Sequence, residues 1–108
     1  MACESIAPRL RHLPTAELFG REVPVATGSR ARLLGLAYLD RSEAGAGLLI
    51  PRCFSVHTFG MRFALDIVFL DRRGMPISVH RGVSRCRVVV NRRADAVLEL
   101  PPLAGGIW

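Results

Sequence analysis

Residues 53 to 57 hold the side chains of this sequence that are best suited to covalent chemistry. Cys53, Ser55 and His57 alternate along a stretch of strand-like composition, so in an extended chain they would point to one face. With His57 as a base and Cys53 or Ser55 as a nucleophile, the set would suit acyl transfer. Alternate residues of one strand seldom aim an imidazole at the neighbouring nucleophile, so this hydrolase or transferase is an alternative hypothesis.

Metal binding would require His80 and Cys86 beside Cys53 and His57. These residue types are ligands that zinc accepts, but their spacings match no familiar zinc motif. The three cysteines form no CxxC pair and are expected to be buried free thiols. The sequence therefore predicts no metal and no cofactor.

Asp66 begins an apolar run, where a carboxylate is costly unless it accepts hydrogen bonds. We expect it to accept from backbone N–H groups, or to pair with Arg62 or His57, which favours a structural anchor over a catalytic base. The polar residues that interrupt this apolar stretch also predict a cleft for a small ligand or peptide. The candidate cleft residues are His57, Thr58, Met61, Arg62 and Asp66.

Charge is a further functional signal. The net charge is +6, and all fifteen basic residues are Arg. An arginine patch would bind polyanions with a strong salt dependence, but biased codon usage also explains a chain without Lys, and aromatic residues do not interleave with the arginines. Nucleic-acid binding is therefore a minor alternative. The arginines concerned are Arg72, Arg73, Arg81, Arg85, Arg87, Arg92 and Arg93.

The length of 108 residues suits one domain with one core. Half of the residues are hydrophobic, which disfavours disorder, yet no apolar run approaches the ~18–20 residues that cross a membrane. The first residues lack the apolar stretch of a secretory signal, so we expect a cytoplasmic protein without membrane insertion. A loosely ordered segment is predicted over 1–21 and a single β domain over 22–108.

Helical spacing of Leu33, Leu36 and Ala37 predicts one short α-helix near residues 29–39. Asp71-Arg72-Arg73-Gly74 has the composition of a hairpin turn, and Asn91 to Asp95 is expected to join the last two strands in the same way. Most of the Phe residues are expected in the core. The predicted strands lie near 22–26, 48–50, 54–59, 65–70, 75–80, 86–90 and 96–100.

The order of these segments resembles the family of the domain of unknown function numbered 192. RLLGLAYL, GLLI, SVHTFGMRFALDIVFLD, a Gly turn and VLEL carry the resemblance over about residues 25–101. It implies a mainly β fold, a small antiparallel barrel or jelly-roll-like sandwich with one short α-helix, and no established activity.

The chain departs from this family in two places. Much of the family has Trp-Met-Lys-Asn-Thr at the positions of residues 57–61 and Pro at Ala64, so only Leu65 and Asp66 carry over in this segment. The family usually continues past VLEL to a last strand, whereas LAGGIW follows here. Either that strand is missing, leaving an edge that could recruit a second subunit as a homodimer, or the tail packs differently.

Without a complete catalytic motif, the sequence favours a non-enzymatic binding or accessory domain. Its cleft is expected around residues 57–66, and its partner would be a small molecule or a peptide.

Overall fold

The structure, a computed structural model, describes residues 6–102. Over this range the chain forms two short α-helices, α1 (Pro8–Arg11) and α2 (Ser29–Leu34), and a 3₁₀ turn (Arg41–Glu43). The remaining elements are strands, so the mainly β class is confirmed. The strands are β1 (Thr15–Leu18), β2 (Arg21–Pro24), β3 (Leu48–Pro51), β4 (Ser55–His57), β5 (Leu65–Leu70), β6 (Pro76–Val83), β7 (Val88–Val90) and β8 (Ala96–Leu100).

A four-stranded antiparallel sheet in the order β3-β8-β5-β6 lies at the centre of the fold. All six residues of β5 are buried, as are the last four of β8. Inner strands that are buried on both faces require covering layers on both sides of the sheet. The pairs β1–β2 and β4–β7 form two further antiparallel sheets.

Alternation along the inner strands divides the core between the two faces of the central sheet. One face carries Ile67, Phe69 and Val97. These residues belong to the larger of two hydrophobic core clusters, which also contains Leu36 from the turn after α2. The opposite face carries the smaller cluster, which includes Val23 of β2. The edge strands β3 and β6 do not pair with each other, so residues 6–102 form no closed barrel. The sandwich expectation is confirmed and the barrel alternative is wrong.

The hairpin predicted at residues 71–74 is confirmed. β5 and β6 are antiparallel partners, and Asp71 Oδ1 accepts hydrogen bonds from the N–H groups of Arg73 and Met75 at 2.8 and 3.0 Å. Gly74 has a φ of 78°, which a side chain would disfavour. Local turn chemistry therefore determines this connection.

The hairpin predicted between the last two strands is wrong. A turn does begin at Asn91, whose carbonyl accepts the N–H of Ala94, but β7 pairs with β4 while β8 lies between β3 and β5. Val88 and Val90 of β7 are 60% and 49% exposed, whereas most of β8 is buried. β8, and not β7, therefore occupies the middle of the large sheet beside β5.

The helix predicted near 29–39 is present but shorter. α2 ends at Leu34 because Gly35 turns to a φ of 54°. A second helix, α1, and strand β1 lie within residues 8–18, inside the segment expected to be loosely ordered. The division into 1–21 and 22–108 itself stays a prediction.

Two of the phenylalanines expected in the core lie at the surface. Phe69 is fully buried, but Phe54 and Phe59 are 45% and 50% exposed. The tail LAGGIW, on which the open-edge expectation depends, lies outside the described residues. Within 6–102 no helix has the length and apolar character needed to cross a membrane.

Asp66 anchors an irregular point of the hairpin. The β5–β6 register shifts between Leu65 and Ile67, and Gly82 of β6 has a φ of 61° there. Asp66, which is 5% exposed, accepts the Gly82 N–H through Oδ1 at 2.8 Å. The predicted backbone donor is therefore confirmed, whereas Arg62 pairs with Asp40 instead, at 3.0 Å.

Asp66→Ala should lower the free energy of unfolding by about 1–3 kcal/mol, because it removes the acceptor of the Gly82 N–H. Asp66→Asn keeps an acceptor oxygen and should cost less. Urea denaturation of both variants measures the difference. An Asp66→Ala variant as stable as the original chain would contradict the anchoring role.

Candidate ligand-binding site

Glu99 is a carboxylic acid inside the core. It lies in β8 opposite Leu48 of β3 and Ile67 of β5, and shares its face of the sheet with Val97. Its relative exposure is 3%. The alternation that buries Val97 thus carries an ionisable group into the larger core.

The turn after α2 receives this carboxyl group. Glu99 Oε1 accepts the N–H of Leu36 at 3.2 Å. A Cβ added at Gly35 would lie 2.6 Å from Oε1. Glycine is therefore favoured at this position both by the positive φ and by the close approach of the carboxyl. Among residues 6–102, no donor is bonded to Oε2. One of the two oxygens of this buried carboxyl is therefore available to a further donor.

Burial raises the pKa of Glu99 from its ordinary 4.5 to about 7, and the hydrogen bond from the Leu36 N–H opposes that rise. Near neutral pH the carboxyl is therefore divided between its neutral and charged forms. Ionisable groups in this condition are frequent at functional sites.

A pocket of about 180 Å³ opens beside Glu99, and we call it the Glu99 pocket. Glu99 is the most buried of the polar residues that line it. Apolar walls surround a small number of polar groups, as in typical small-molecule sites. The lining residues are Arg32, Leu33, Leu34, Gly35, Ile50, Cys53, Ser55, Val56, His57 and Glu99.

Both ring nitrogens of His57 are engaged by the backbone. Nε2 lies 3.2 Å from the Leu33 carbonyl, and Nδ1 accepts the Phe59 N–H at 3.2 Å. These partners select the neutral tautomer with the proton on Nε2. The Cys53 thiol donates to the Ser55 carbonyl at 3.1 Å. In this state neither the imidazole nor the thiol is arranged for acyl transfer.

Arg32 closes the pocket beside β3. Its guanidinium donates to the carbonyls of Pro51 and Arg52, the second at 3.0 Å. These bonds tie α2 to the end of β3. The arginine therefore holds together two elements that both line the pocket.

The five residues of the predicted cleft lie in different surroundings. His57 lines the Glu99 pocket, while Met61 and Arg62 line a separate open groove with Tyr38 and Arg85.

The other two candidate side chains are buried and bonded within the protein. Thr58 Oγ1 donates to the Ser84 carbonyl at 2.8 Å and accepts the Arg87 N–H at 2.7 Å. Asp66 lies on the face of the central sheet opposite Glu99. The structure therefore places His57 in the same pocket as Glu99. The other four candidates, Thr58, Met61, Arg62 and Asp66, do not line that pocket.

The residues considered for zinc are not brought together. His80 packs edge-on against Phe69, with ring centroids 5.5 Å apart. Within residues 6–102 no three His, Cys, Asp or Glu side chains form a group that could hold a metal ion. Cys53 and Cys86 are free thiols, but the prediction that they are buried is wrong, because Cys53 is half-buried and Cys86 is exposed.

Glu99 is not among the candidate residues predicted from the sequence. The available signal was an acid inside AVLEL, a strand whose other residues are apolar. Such an acid is either at an exposed edge or buried against donors, and only the position of β8 in the sheet distinguishes the two.

The fold and the pocket define the class of this protein as a small, mainly β, sandwich-like domain with a buried carboxyl beside a pocket. The chain belongs to the DUF192 family, described as "Uncharacterized ACR", which matches residues 14–104. The resemblance noted in the sequence is thereby confirmed. A search of curated proteins finds no match.

A solved structure shares the fold. It is a crystal structure from Sinorhizobium meliloti 1021 of a protein described as a "putative transcription regulator". The TM-score is 0.66 and the sequence identity 21%, over 82% of this chain and 77% of that chain. At this identity the likeness shows the fold alone.

Glu99 should make the stability of the protein depend on pH. Its pKa is higher in the folded state, so its stabilising contribution is complete below about pH 4.5 and is lost as pH rises through about 7. The loss should be on the order of 3 kcal/mol. Urea denaturation from acidic to mildly basic pH measures it.

Glu99→Gln should lack this pH-dependent loss and be more stable than the original chain above about pH 7. The matched control is Glu17→Gln, at an exposed position of β1, which should keep the pH dependence. Identical profiles for Glu99→Gln and the original chain would contradict the assignment.

Proposed function

We propose that this domain binds a small organic molecule carrying an amine or another nitrogen donor in the Glu99 pocket, without converting it chemically. The observation that carries the proposal is Glu99 Oε2, a buried carboxyl oxygen with no donor bonded to it among residues 6–102, beside a pocket of about 180 Å³. A ligand N–H group would supply the missing donor.

The energetics of burial support this ligand class. A buried carboxylate is unfavourable unless it is paired and hydrogen-bonded. An ammonium group on the ligand would stabilise the charged form of Glu99, while Leu33, Leu34 and Ile50 would contact its hydrocarbon part. Binding of the amine would therefore favour release of the Glu99 proton.

The hydrogen bonds of His57 favour binding over acyl transfer. A general base needs a free ring nitrogen, and both nitrogens of His57 contact backbone groups. His57 would act as part of the pocket rim. A cleft that also includes Thr58, Met61, Arg62 and Asp66 stays a prediction of the sequence, as do the cytoplasmic location and the homodimer.

Butylammonium is a suitable probe, with butanol as the neutral analogue of the same length. In an NMR titration, butylammonium should cause saturable shifts at Leu36 and Val56 and bind more tightly near pH 8 than near pH 6, because Glu99 loses its proton between them. Glu99→Gln should weaken this binding about tenfold or more, since a charged hydrogen bond contributes about 1.5–3 kcal/mol.

Glu17→Gln provides the matched control and should leave the affinity unchanged. Equal binding of butanol and butylammonium, or equal affinity of the Glu99→Gln and original proteins, would argue against the proposal. Release of an acid from an ester substrate, lost in Cys53→Ala or Ser55→Ala, would instead support the hydrolase alternative.

Polyanion binding is a second candidate function. The seven arginines between Arg72 and Arg93 are all exposed, and the Arg92 guanidinium lies 5.9 Å from the centre of the exposed Phe54 ring. An arginine beside an aromatic ring is an arrangement that can contact a nucleic-acid base. The description of the S. meliloti protein as a transcription regulator is consistent with this candidate.

If this candidate is correct, a fluorescent random duplex should bind at low salt, and its affinity should fall steeply as salt rises. Arg92→Gln combined with Phe54→Ala should weaken binding more than Arg41→Gln, an exposed arginine outside the Arg-rich half. Fluorescence anisotropy across a salt series measures both effects. Absence of binding at low salt would exclude the candidate.

A further inference from the structure

A second pocket, which we call the Arg9 pocket, shares Leu34 and Gly35 with the Glu99 pocket. Its volume is about 230 Å³. It differs in charge, because two arginines line it and no acidic residue does. Its other lining residues are Arg9, Leu10, Leu13, Thr27, Arg30, Ala31 and Leu48.

Arg9 is held in place by the backbone of the turn after α2. Its Nη2 atom donates to the carbonyls of Gly35 and Ala37 at 2.9 and 2.7 Å. Among residues 6–102, no acceptor is bonded to its Nε or Nη1 atom. The guanidinium is therefore fixed by one nitrogen, with further N–H groups available to a ligand.

Neither arginine of this pocket forms an ion pair within the described part of the chain. The ion pair found there joins Arg62 and Asp40, and neither Arg9 nor Arg30 takes part in one. Burial, and then the charge of Arg30, lower the pKa of Arg9, while Glu43 opposes them. Two neighbouring cations that repel each other would be stabilised by an anion between them.

We propose that the Arg9 pocket binds a small organic carboxylate. The carboxylate would accept hydrogen bonds from the free N–H groups of Arg9 and lie close to the charge of Arg30. The planar guanidinium group matches the geometry of a carboxylate. The hydrocarbon tail would contact Leu10, Leu13 and Leu48. An apolar lining distinguishes this site from a simple phosphate site, for which arginine and backbone groups suffice.

This inference does not depend on the amine site, because the two pockets have different polar groups. Hexanoate is the probe, and three compounds separate its features: hexanol has the tail without the charge, acetate the charge without the tail, and inorganic phosphate a different anion. An NMR titration of the full chain, followed at the amides of Leu10, Thr27 and Ala31, measures each affinity.

Hexanoate should bind saturably and at least about tenfold more tightly than hexanol, since one charged hydrogen-bonded contact is worth about that factor. It should also bind more tightly than acetate or phosphate, which lack the hydrocarbon tail. Arg30→Gln, at an exposed position, should weaken hexanoate binding severalfold without unfolding the protein. Arg73→Gln removes the same charge from the exposed β5–β6 turn and should leave the affinity unchanged. Arg9→Lys keeps the charge but not the planar group, and should weaken hexanoate binding more than Arg30→Gln does.

Three results would overturn the proposal. Hexanol binding as tightly as hexanoate would reduce the pocket to an apolar cavity. Phosphate binding as tightly as hexanoate would show that the apolar lining does not contribute to the affinity. Equal losses in Arg30→Gln and Arg73→Gln would show that net charge, and not this pocket, attracts the anion.

Discussion

The larger core is organised around the burial of one carboxyl group against one turn. Glu99 lies on a central strand and bonds the Leu36 N–H, and Gly35 provides the space for that approach. Arg9 binds the carbonyls of Gly35 and Ala37 on the same turn. The polar backbone groups of a buried turn must find partners, and here an acid and a base from distant parts of the chain provide them.

This arrangement also explains why two pockets share residues and differ in chemistry. Gly35 has no side chain, so the Glu99 carboxyl of β8 can come close to the turn whose carbonyls bind Arg9 of α1. One pocket contains a carboxyl with an unused oxygen, and the other contains an arginine with unused N–H groups. A larger residue at position 35 would displace Glu99 and change the wall that the two pockets have in common.

Parts of the fold and site that depend on local chemistry could be predicted from the sequence. Asp71 and Gly74 determine the β5–β6 turn through contacts within five residues, and the apolar run before them is the inner strand β5. The backbone partner of Asp66 followed from the cost of burying a carboxylate. The partner of β8 could not be predicted in this way, because adjacency along the chain favours a hairpin with β7.

The candidate site shows the same division. By itself the sequence determined the mainly β class, the family, the central hairpin and the presence of His57 in a segment with polar residues. Only the tertiary structure decided that His57 shares a pocket with Glu99, and that Arg62 pairs with Asp40 rather than with Asp66. Residue types and turns act over a few positions, whereas the environment of a side chain depends on which strands become neighbours. Glu99 became the central residue of the site because β8 entered the middle of the sheet.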